Sequence, residues 1–241
     1  MTQLIQLISG PRNISTAMMY SFGNRADTAI VDEPFYAYYL ANFAVDHPGD
    51  QDILSSMSSD PFDVIQDVLL ADRKEEYLFA KNMAHHMDGY DYSYSFDCRN
   101  VFLIRDPSRL IASFAKVITN PVANDVGLRR EAEIYNEICS NSKFDPVVID
   151  SGQLLLNPEK VLQELCSQLS IPFEKAMLNW EAGARAEDGT WAKYWYHSVH
   201  KSTRFVKTQK TEVTILDDRL VPVYEEVLPY YNQLFEKAIK A

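Results

Sequence analysis

Cysteine is scarce in this sequence, and so are the features of secreted and membrane-spanning proteins. The three cysteines, Cys98, Cys139 and Cys166, are odd in number and far apart, which argues against a disulfide framework as the basis of the fold. No apolar run approaches the roughly 20 residues that a membrane span requires. Residues 1–8 lack the basic leader of a signal peptide. We therefore predict a cytoplasmic protein with buried, reduced thiols.

Basic residues are also in short supply. The chain has 23 lysines and arginines against 34 aspartates and glutamates, a formal net charge of −11. This balance argues against a nucleic-acid partner and against an anionic membrane surface as a partner. A small anionic ligand remains compatible with it, provided that the few basic residues are concentrated where that ligand binds.

What the sequence does contain is an alternation of short apolar runs and helical patterns. Its 241 residues, 46% of them hydrophobic, are enough for the core of one domain without a metal or a disulfide. Strands are predicted over 4–8, 29–31, 77–80, 101–104 and 147–149. Helices are predicted over 14–22, 62–70, 108–117, 131–139, 161–169 and 219–240, with a polar surface excursion or lid over 47–61. This alternation predicts an α/β fold with a parallel sheet covered on both faces.

Polar clusters follow four of the predicted strands. In open parallel sheets, ligands bind beyond the carboxyl ends of the strands. The clusters are Ser9-Gly10-Pro11-Arg12-Asn13, then Asp32-Glu33, then Lys81 with His85 and His86, and finally Arg105-Asp106. Loops are polar in any protein, so one such cluster has an ordinary explanation. Two of these four, however, supply arginines in an acidic chain, and together the clusters predict one site at the carboxyl edge of the sheet.

The first cluster has the pattern of a phosphate cradle. A turn at Gly10 and a helix that begins near Ser15 and Thr16 would direct unpaired N–H groups and the positive end of the helix dipole at an anion. Ser15 or Thr16 could cap the helix. Arg12 could add a bidentate contact to phosphate or sulfate oxygens. A plain capped helix without a ligand is the alternative interpretation.

The loop differs from that of nucleotide triphosphatases and kinases. Their pattern is G-x-x-x-x-G-K-[ST]. Counted from Gly10, its last three positions hold Ser15, Thr16 and Ala17, so the lysine and the Mg²⁺-binding hydroxyl are missing. A small-metabolite kinase stays open as an alternative, with Asp32 as the candidate for an acidic Mg²⁺ site.

The segment Pro11-Arg12-Asn13-Ile14-Ser15-Thr16 resembles the P-[KR]-x-G-[ST]-[ST] phosphosulfate loop of sulfotransferases. Ile104-Arg105-Asp106-Pro107, followed by Ser113, resembles their second motif, in which the arginine and the serine hold the 3′-phosphate of the donor. Residues 10–33 are similar in particular to bacterial and plant sulfotransferase-like proteins. Some of these carry a branched-chain aminotransferase-like name, but nothing in this sequence resembles a pyridoxal-phosphate site.

The resemblance implies a single sulfotransferase-like domain over 1–241, with a three-layer P-loop-type fold. It also implies a donor, 3′-phosphoadenosine 5′-phosphosulfate, whose sulfuryl group passes in line to a hydroxyl or amine of a small acceptor. The implied donor-binding residues are Gly10, Pro11, Arg12, Asn13, Ser15, Thr16, Arg105, Ser113 and a late basic loop of Lys201, Ser202 and Thr203. Arg12, the helix N–H groups and Lys81 would neutralise the leaving oxygen without a metal.

Three residues are candidates for the catalytic base, because sulfotransferases use either a histidine after the third strand or a glutamate near the second. Glu33 follows the second strand directly, and we favour it over His85 and His86, whose distance from Lys81 differs from that of the family histidine. A histidine is well matched to neutral pH. A glutamate needs its pKa raised by burial.

Ile14 departs from the family pattern, because it occupies the position of the loop glycine. A β-branched residue does not readily adopt a positive φ, so we expect either a helical φ at Ile14 or a reshaped donor pocket. The departure keeps open a third function class, a non-catalytic nucleotide-binding or partner-binding module. His197 and His200 are three apart, but no third zinc ligand is evident. We expect them in an aromatic segment, 195–205, that packs or lines the acceptor pocket.

Overall fold

A six-stranded parallel sheet forms the centre of the molecule. The computed structural model describes residues 2–43, 45, 47–116, 118, 120–207 and 214–241. The strand order across the sheet is β2-β3-β1-β4-β5-β6, and each adjacent pair is parallel. The strands are β1 (Gln3–Ser9), β2 (Thr28–Asp32), β3 (Tyr77–Met83), β4 (Arg99–Ile104), β5 (Val147–Asp150) and β6 (Ala238–Ile239).

Helices fill the connections between these strands. The α-helices of the described residues are α1 (Ser15–Gly23), α2 (Tyr36–Asn42), α3 (Asp50–Ser56), α4 (Pro61–Asp63), α5 (Pro107–Phe114), α6 (Ala123–Val126), α7 (Leu128–Asn141), α8 (Ser151–Leu156), α9 (Pro158–Gln168), α10 (Ala192–Trp195) and α11 (Val221–Lys237). A π-helical stretch, Val64–Leu69, continues α4, and 3₁₀ turns occupy Ala84–Met87, Ser93–Asp97, Lys175–Leu178 and Asp218–Leu220.

The core lies on both faces of the sheet, because successive side chains of a strand point to opposite faces. Val101 and Leu103 of β4 pack into the cluster that contains the buried residues of α1 and α9. Their neighbours Phe102 and Ile104 pack into the cluster that contains those of α5, α7 and α11. Strands buried on both faces read as continuous apolar runs. The predicted α/β fold, a central parallel sheet flanked by helices, is confirmed.

Several boundaries differ from the predictions. The strand predicted over 77–80 extends to Met83, so Lys81 lies inside β3 rather than beyond it. The helix predicted over 219–240 ends at Lys237, and residues 238–239 form the edge strand β6. The excursion over 47–61 contains α3, and the helix over 62–70 is mostly π-helical. The helix predicted over 108–117 is α5, and its predicted end at 117 lies outside the described residues.

All three cysteines are unpaired: Cys98 and Cys166 are buried, but Cys139, on the outer face of α7, is exposed, against the prediction that all are buried. Within the described ranges, no helix has both the length and the apolar composition to span a membrane.

Side-chain caps begin several helices, and α1 is an exception that matters for the site. The carboxylate of Asp106 accepts hydrogen bonds from the backbone N–H groups at the start of α5, and Asp150 caps α8 in the same way. The N-cap of α1 is Ile14, and no side chain caps this helix. The prediction that Ser15 or Thr16 caps α1 is therefore wrong. The first N–H groups of α1 are left for another partner.

Candidate functional site

A cavity of about 1300 Å³ opens at the carboxyl edge of the sheet. The loops after β1, β2, β3 and β4 all contribute to its wall, which is the convergence that the four polar clusters predict. The predicted site residues that line it are Pro11, Arg12, Asn13, Ser15, Thr16, Glu33, Lys81, His85, His86, Arg105, Ser113 and Ser202. Three others, Gly10, Lys201 and Thr203, are not part of its lining.

Positive charge is concentrated in this cavity. Among the described residues, its lining includes six basic side chains and four acidic ones, although acidic residues outnumber basic ones in the chain as a whole. The basic ones are Arg12, Lys81, Arg105, Arg129, Arg130 and Arg204, and the acidic ones are Glu33, Asp88, Asp125 and Glu133. Six of the 23 lysines and arginines line the cavity, so its lining is more basic than the chain as a whole, which favours an anionic ligand there.

The loop between β1 and α1 begins at a point of very close packing. A Cβ atom on Gly10 would lie 2.5 Å from the carbonyl oxygen of Val126, so no other residue fits without displacing the backbone. The Gly10 N–H donates to Glu131 Oε1 at 2.8 Å. Further along, Asn13 is buried and its Nδ2 donates to the carbonyl oxygen of Leu103, at the end of β4. The hydrogen bonds of Gly10 and Asn13 therefore fix the loop against α7 and against the end of β4.

The loop holds two residues in the left-handed region. Arg12 has a φ of 62° and Ile14 a φ of 65°. Of the two expected outcomes, a helical φ at Ile14 is thus excluded, because this β-branched residue adopts a positive φ, the conformation open to the family's glycine. Glu33, at the other side of the cavity, has a φ of 41°. Backbone strain of this kind persists where the surroundings over-determine it and clusters at functional sites.

Three predicted donor residues meet at one end of the cavity. Arg105 donates from Nη1 to the carbonyl oxygen of Arg12 at 2.5 Å, and Arg12 Nε lies 3.3 Å from Ser113 Oγ. Within the described part of the chain, neither Arg12 nor Arg105 forms an ion pair with a carboxylate. Burial, and then the charges of Arg109 and Arg12, lower the pKa of Arg105 from its usual value. Neighbouring cations without a carboxylate partner are electrostatically suited to a bound anion.

A buried ion cluster lies at the other end. Lys81 Nζ is 2.8 Å from Asp32 Oδ1, 2.5 Å from Glu33 Oε1 and 2.8 Å from the hydroxyl of Tyr196. Lys81 is 1% exposed, and the three contacts account for all three of its N–H donors. Burial acts to lower the pKa of Lys81, but Asp32 and Glu33 outweigh it and hold this pKa well above its usual value. Lys81 is therefore a charged side chain whose N–H donors all have partners within the protein.

The two carboxylates of this cluster are not equivalent. Asp32 accepts from Lys81, from the hydroxyl of Tyr196 at 2.7 Å and from the N–H of Gly189 at 3.3 Å. Among the described residues, the carboxylate of Glu33 accepts one hydrogen bond, from Lys81. Burial raises the pKa of Glu33, the charge of Lys81 lowers it, and the charge of Asp32 raises it again, with a raised pKa as the result. The two carboxylates therefore differ in their hydrogen bonding, and Glu33 is the one that lines the cavity.

The two histidines lie in an aromatic stack beside Glu33. The ring of His86 stacks on Tyr36 at 4.5 Å and on Tyr39 at 4.7 Å between centroids. Its Nδ1 has no hydrogen-bond partner among the residues that the structure describes and lies 3.8 Å from Glu33 Oε2. Burial lowers the pKa of His86 well below its usual value, and burial together with His47 lowers that of His85 to about 4. Both imidazoles are therefore neutral at physiological pH.

The late part of the chain contributes one of the three donor-binding residues predicted there. Ser202 reaches the cavity, whereas Lys201 is exposed and the carbonyl oxygen of Thr203 accepts from the N–H of Trp180. His200 Nε2 lies 2.9 Å from Asp188 rather than beside His197. Among the described residues, no group of three or more His, Cys, Asp or Glu side chains is arranged to hold a metal.

Tyr196 and Glu131 are two residues of this region that the sequence patterns did not single out. Tyr196 comes from the aromatic segment 195–205, but its pairing with Lys81 bridges 115 positions of the chain. Glu131 stands on the apolar face of α7, where Leu128, Ala132 and Tyr135 are buried. An acidic residue at such a position is a signal that sequence inspection could have used.

Comparison with protein families matches residues 3–238 to the family described as the sulfotransferase domain. Two curated relatives, the branched-chain-amino-acid aminotransferase-like proteins 2 and 1 of Arabidopsis thaliana, are each 36% identical over 233 residues, 96% of this chain. The chain spans 41% of the length of these relatives.

Solved structures show the same fold at low sequence identity. A sulfotransferase from Alicyclobacillus acidocaldarius superposes with a TM-score of 0.58 at 13% identity, covering 98% of this chain and 95% of its own. The sulfotransferase domain from the curacin biosynthetic pathway superposes with a TM-score of 0.55 at 14% identity, covering 95% and 98%.

Proposed function

The chain belongs to the sulfotransferase family, and we propose that it transfers a sulfuryl group from 3′-phosphoadenosine 5′-phosphosulfate to a hydroxyl or amine of a small acceptor. The family match extends over residues 3–238. The observation that carries the proposal is that a cationic loop, a second arginine site and a buried carboxylate with a raised pKa all open on one cavity.

We assign the donor to the end of the cavity with the unpaired arginines. The N–H groups at the start of α1 and the guanidinium of Arg12 would bind the phosphosulfate, since a helix N-terminus and an arginine fork both suit such oxygens. Arg105 and Ser113 would bind the 3′-phosphate. The cavity measures about 1300 Å³, and pockets for one small ligand hold roughly 300–1,000 Å³. It therefore has room for an acceptor beside the donor.

We assign Glu33 as the general base. A base must be within reach of the acceptor's proton and needs a pKa near the working pH, and Glu33 lines the cavity with its pKa raised. Asp32, by contrast, accepts hydrogen bonds from Lys81 and from the hydroxyl of Tyr196 and is not part of the cavity lining. The lowered pKa values of His85 and His86 make them weaker proton acceptors than an unperturbed histidine.

The reaction then divides between the two ends of the cavity. The donor supplies the sulfuryl group, and the acceptor oxygen or nitrogen forms a bond to its sulfur as the bond from sulfur to the 5′-phosphate oxygen breaks. Glu33 takes the proton of the acceptor. Arg12 and the N–H groups of α1 neutralise the charge on the leaving phosphate oxygen. Lys81, whose donors are engaged, acts by holding Glu33 in place.

The alternatives are less well supported. The carboxylate of Asp32, the candidate for a kinase Mg²⁺ site, is engaged with Lys81, Tyr196 and Gly189. The feature that favours a non-catalytic module is Ile14, yet Ile14 takes the left-handed conformation in which a glycine would hold the loop.

Titration calorimetry tests the donor assignment. We expect adenosine 3′,5′-bisphosphate to bind without metal, and ATP with Mg²⁺ to bind much more weakly. Absence of binding at millimolar adenosine 3′,5′-bisphosphate contradicts the proposal. Sulfate transfer from labelled donor to a panel of hydroxyl and amine compounds then tests the reaction. Binding without transfer to any of them favours the non-catalytic module.

A further inference from the structure

Glu131 is a buried acid that none of the steps above uses. It stands on α7 and is 1% exposed, and its Oε1 accepts from the N–H of Gly10 at 2.8 Å. Its Oε2 is buried and has no hydrogen-bond partner within the described part of the chain. No lysine, arginine or histidine is paired with it among the described residues. A carboxyl group in these surroundings is a neutral acid, because an unpaired buried charge is very unfavourable.

The N–H group that Glu131 binds is the first one beyond β1. Up to Ser9, the backbone of β1 pairs with its neighbours β3 and β4. Gly10 leaves the sheet, and the contact with Val126 leaves no room for a side chain. Its buried N–H needs an acceptor from elsewhere, since an unsatisfied buried donor is costly. Glu131 is the acceptor that reaches it.

We propose that Glu131 is a positioning residue for the donor loop, whose neutral carboxyl group anchors Gly10 and so holds Arg12 and the N-terminus of α1 ready for the anion. The inference rests on the proposed function only in naming that anion as the donor. Two residues after Gly10, Arg12 has a positive φ, and Ile14 follows with another. Fixing the start of this strained loop limits the conformations open to both.

Neutrality of the acid is part of the proposal. An ionised carboxylate directly behind the loop would repel the donor, whereas a neutral one accepts the Gly10 hydrogen bond without adding charge. Burial raises the pKa of Glu131 well above its usual value, more than the hydrogen bond from Gly10 lowers it. Because Oε1 accepts the hydrogen bond from Gly10, the proton of the neutral acid is assigned to Oε2.

Three variants test the anchor. Glu131→Gln keeps an acceptor oxygen and is always neutral, so the dissociation constant of adenosine 3′,5′-bisphosphate should stay within about twofold of wild type. Glu131→Met has similar volume and no acceptor, and the same constant should rise at least tenfold. Asn100→Leu breaks buried hydrogen bonds near the amino end of β4, at a residue that does not line the cavity. It should lower stability and leave the dissociation constant unchanged.

The outcomes separate the possibilities. A tenfold loss of affinity in Glu131→Gln overturns the neutral anchor, because that variant changes only the ionisable oxygen. Unchanged affinity in a folded Glu131→Met shows a purely structural role. If Glu131→Met does not fold, deuterium exchange of the Gly10 amide in the wild-type protein without donor decides: slow exchange supports the anchor and rapid exchange overturns it. Failure of the wild-type protein to bind the bisphosphate counts against the proposed function, not against the anchor.

Discussion

At one end of the cavity, Arg12 and Arg105 carry their charges without a carboxylate partner among the described residues, whereas at the other end Lys81 is enclosed by Asp32, Glu33 and Tyr196. The charges of these neighbouring arginines are available to an anionic ligand, so we expect the affinity for that ligand to depend on them. All three N–H donors of Lys81 have partners within the protein. We therefore expect the stability of the fold and the proton transfer to Glu33 to depend on Lys81. The two ends therefore differ in whether their cations already have carboxylate partners within the protein.

The largest expected effect comes from breaking the enclosed end. Lys81→Met leaves Asp32 and Glu33 buried without their cation, and removing one partner of a buried ion pair costs about 3–5 kcal/mol. The free energy of unfolding, measured by chemical denaturation, should fall by that amount. Lys193→Met, which removes the exposed partner of Asp52, is the matched control and should change it by less than about 1 kcal/mol. Equal effects of the two would mean that the cluster is not buried in solution.

The second prediction tests the role of Glu33, at the enclosed end, as the general base. Glu33→Gln should lower kcat by at least about a hundredfold, with unchanged affinity for adenosine 3′,5′-bisphosphate. In wild type, kcat should rise with pH as Glu33 loses its proton, at a pH above the usual glutamate range because its pKa is raised. His85→Ala serves as the comparison and should keep most of the activity. If Glu33→Gln stays fully active, the base lies elsewhere.

A third prediction concerns the open end. Arg105→Ala should weaken the binding of adenosine 3′,5′-bisphosphate by about 1.5–3 kcal/mol, the range for hydrogen bonds to charged groups. Arg105→Lys should recover part of the loss, since it restores charge but not the planar fork. Both variants should keep the wild-type melting temperature within a few degrees, because within the described part of the chain Arg105 forms a single hydrogen bond, to the Arg12 carbonyl. Unchanged affinity in Arg105→Ala would refute the assignment.

The smallest expected effect lies in the loop between β1 and α1, which contains Arg12 and Ile14. Ile14 has a φ of 65°, a conformation that costs an ordinary residue about 1–2 kcal/mol. Ile14→Gly removes this cost and the side-chain packing together, whereas Ile14→Ala removes the packing alone. The glycine variant should therefore be more stable than the alanine variant by about 1 kcal/mol in chemical denaturation, the reverse of the order within a helix. The opposite order would mean that Ile14 does not have a positive φ in solution.

Much of the fold follows from local patterns. Five of the six strands are recognisable as apolar runs, because strands covered on both faces leave no polar alternation to obscure them. β6 is two residues long and follows α11 directly, so its sequence continues a helical pattern and only pairing with β5 makes it a strand. The π-helical turn of Val64–Leu69 likewise has no signature in the sequence.

The candidate site likewise contains residues that the sequence could predict and others that only the tertiary structure reveals. The motif residues Arg12 and Arg105 could be named from the sequence, since their spacing from strand ends is a local property. The engagement of Lys81 could not be, because its partner Tyr196 lies 115 residues away. The sequence favours Glu33 over His85 and His86 because Glu33 directly follows a strand. The burial that shifts the pKa values of these three residues is a property of the packed structure and could not be predicted from local patterns.

By itself, then, the sequence determined the alternation of strands and helices, the edge of the sheet at which polar residues gather, and the resemblance of its loops to those of sulfotransferases. These depend on residue order within short windows. Only the tertiary structure decided that Ile14 takes a glycine-like φ, that Lys81 is fully paired and that Glu131 holds Gly10. Each of these is set by neighbours distant in the chain, whose packing outweighs the local preference of the residue itself.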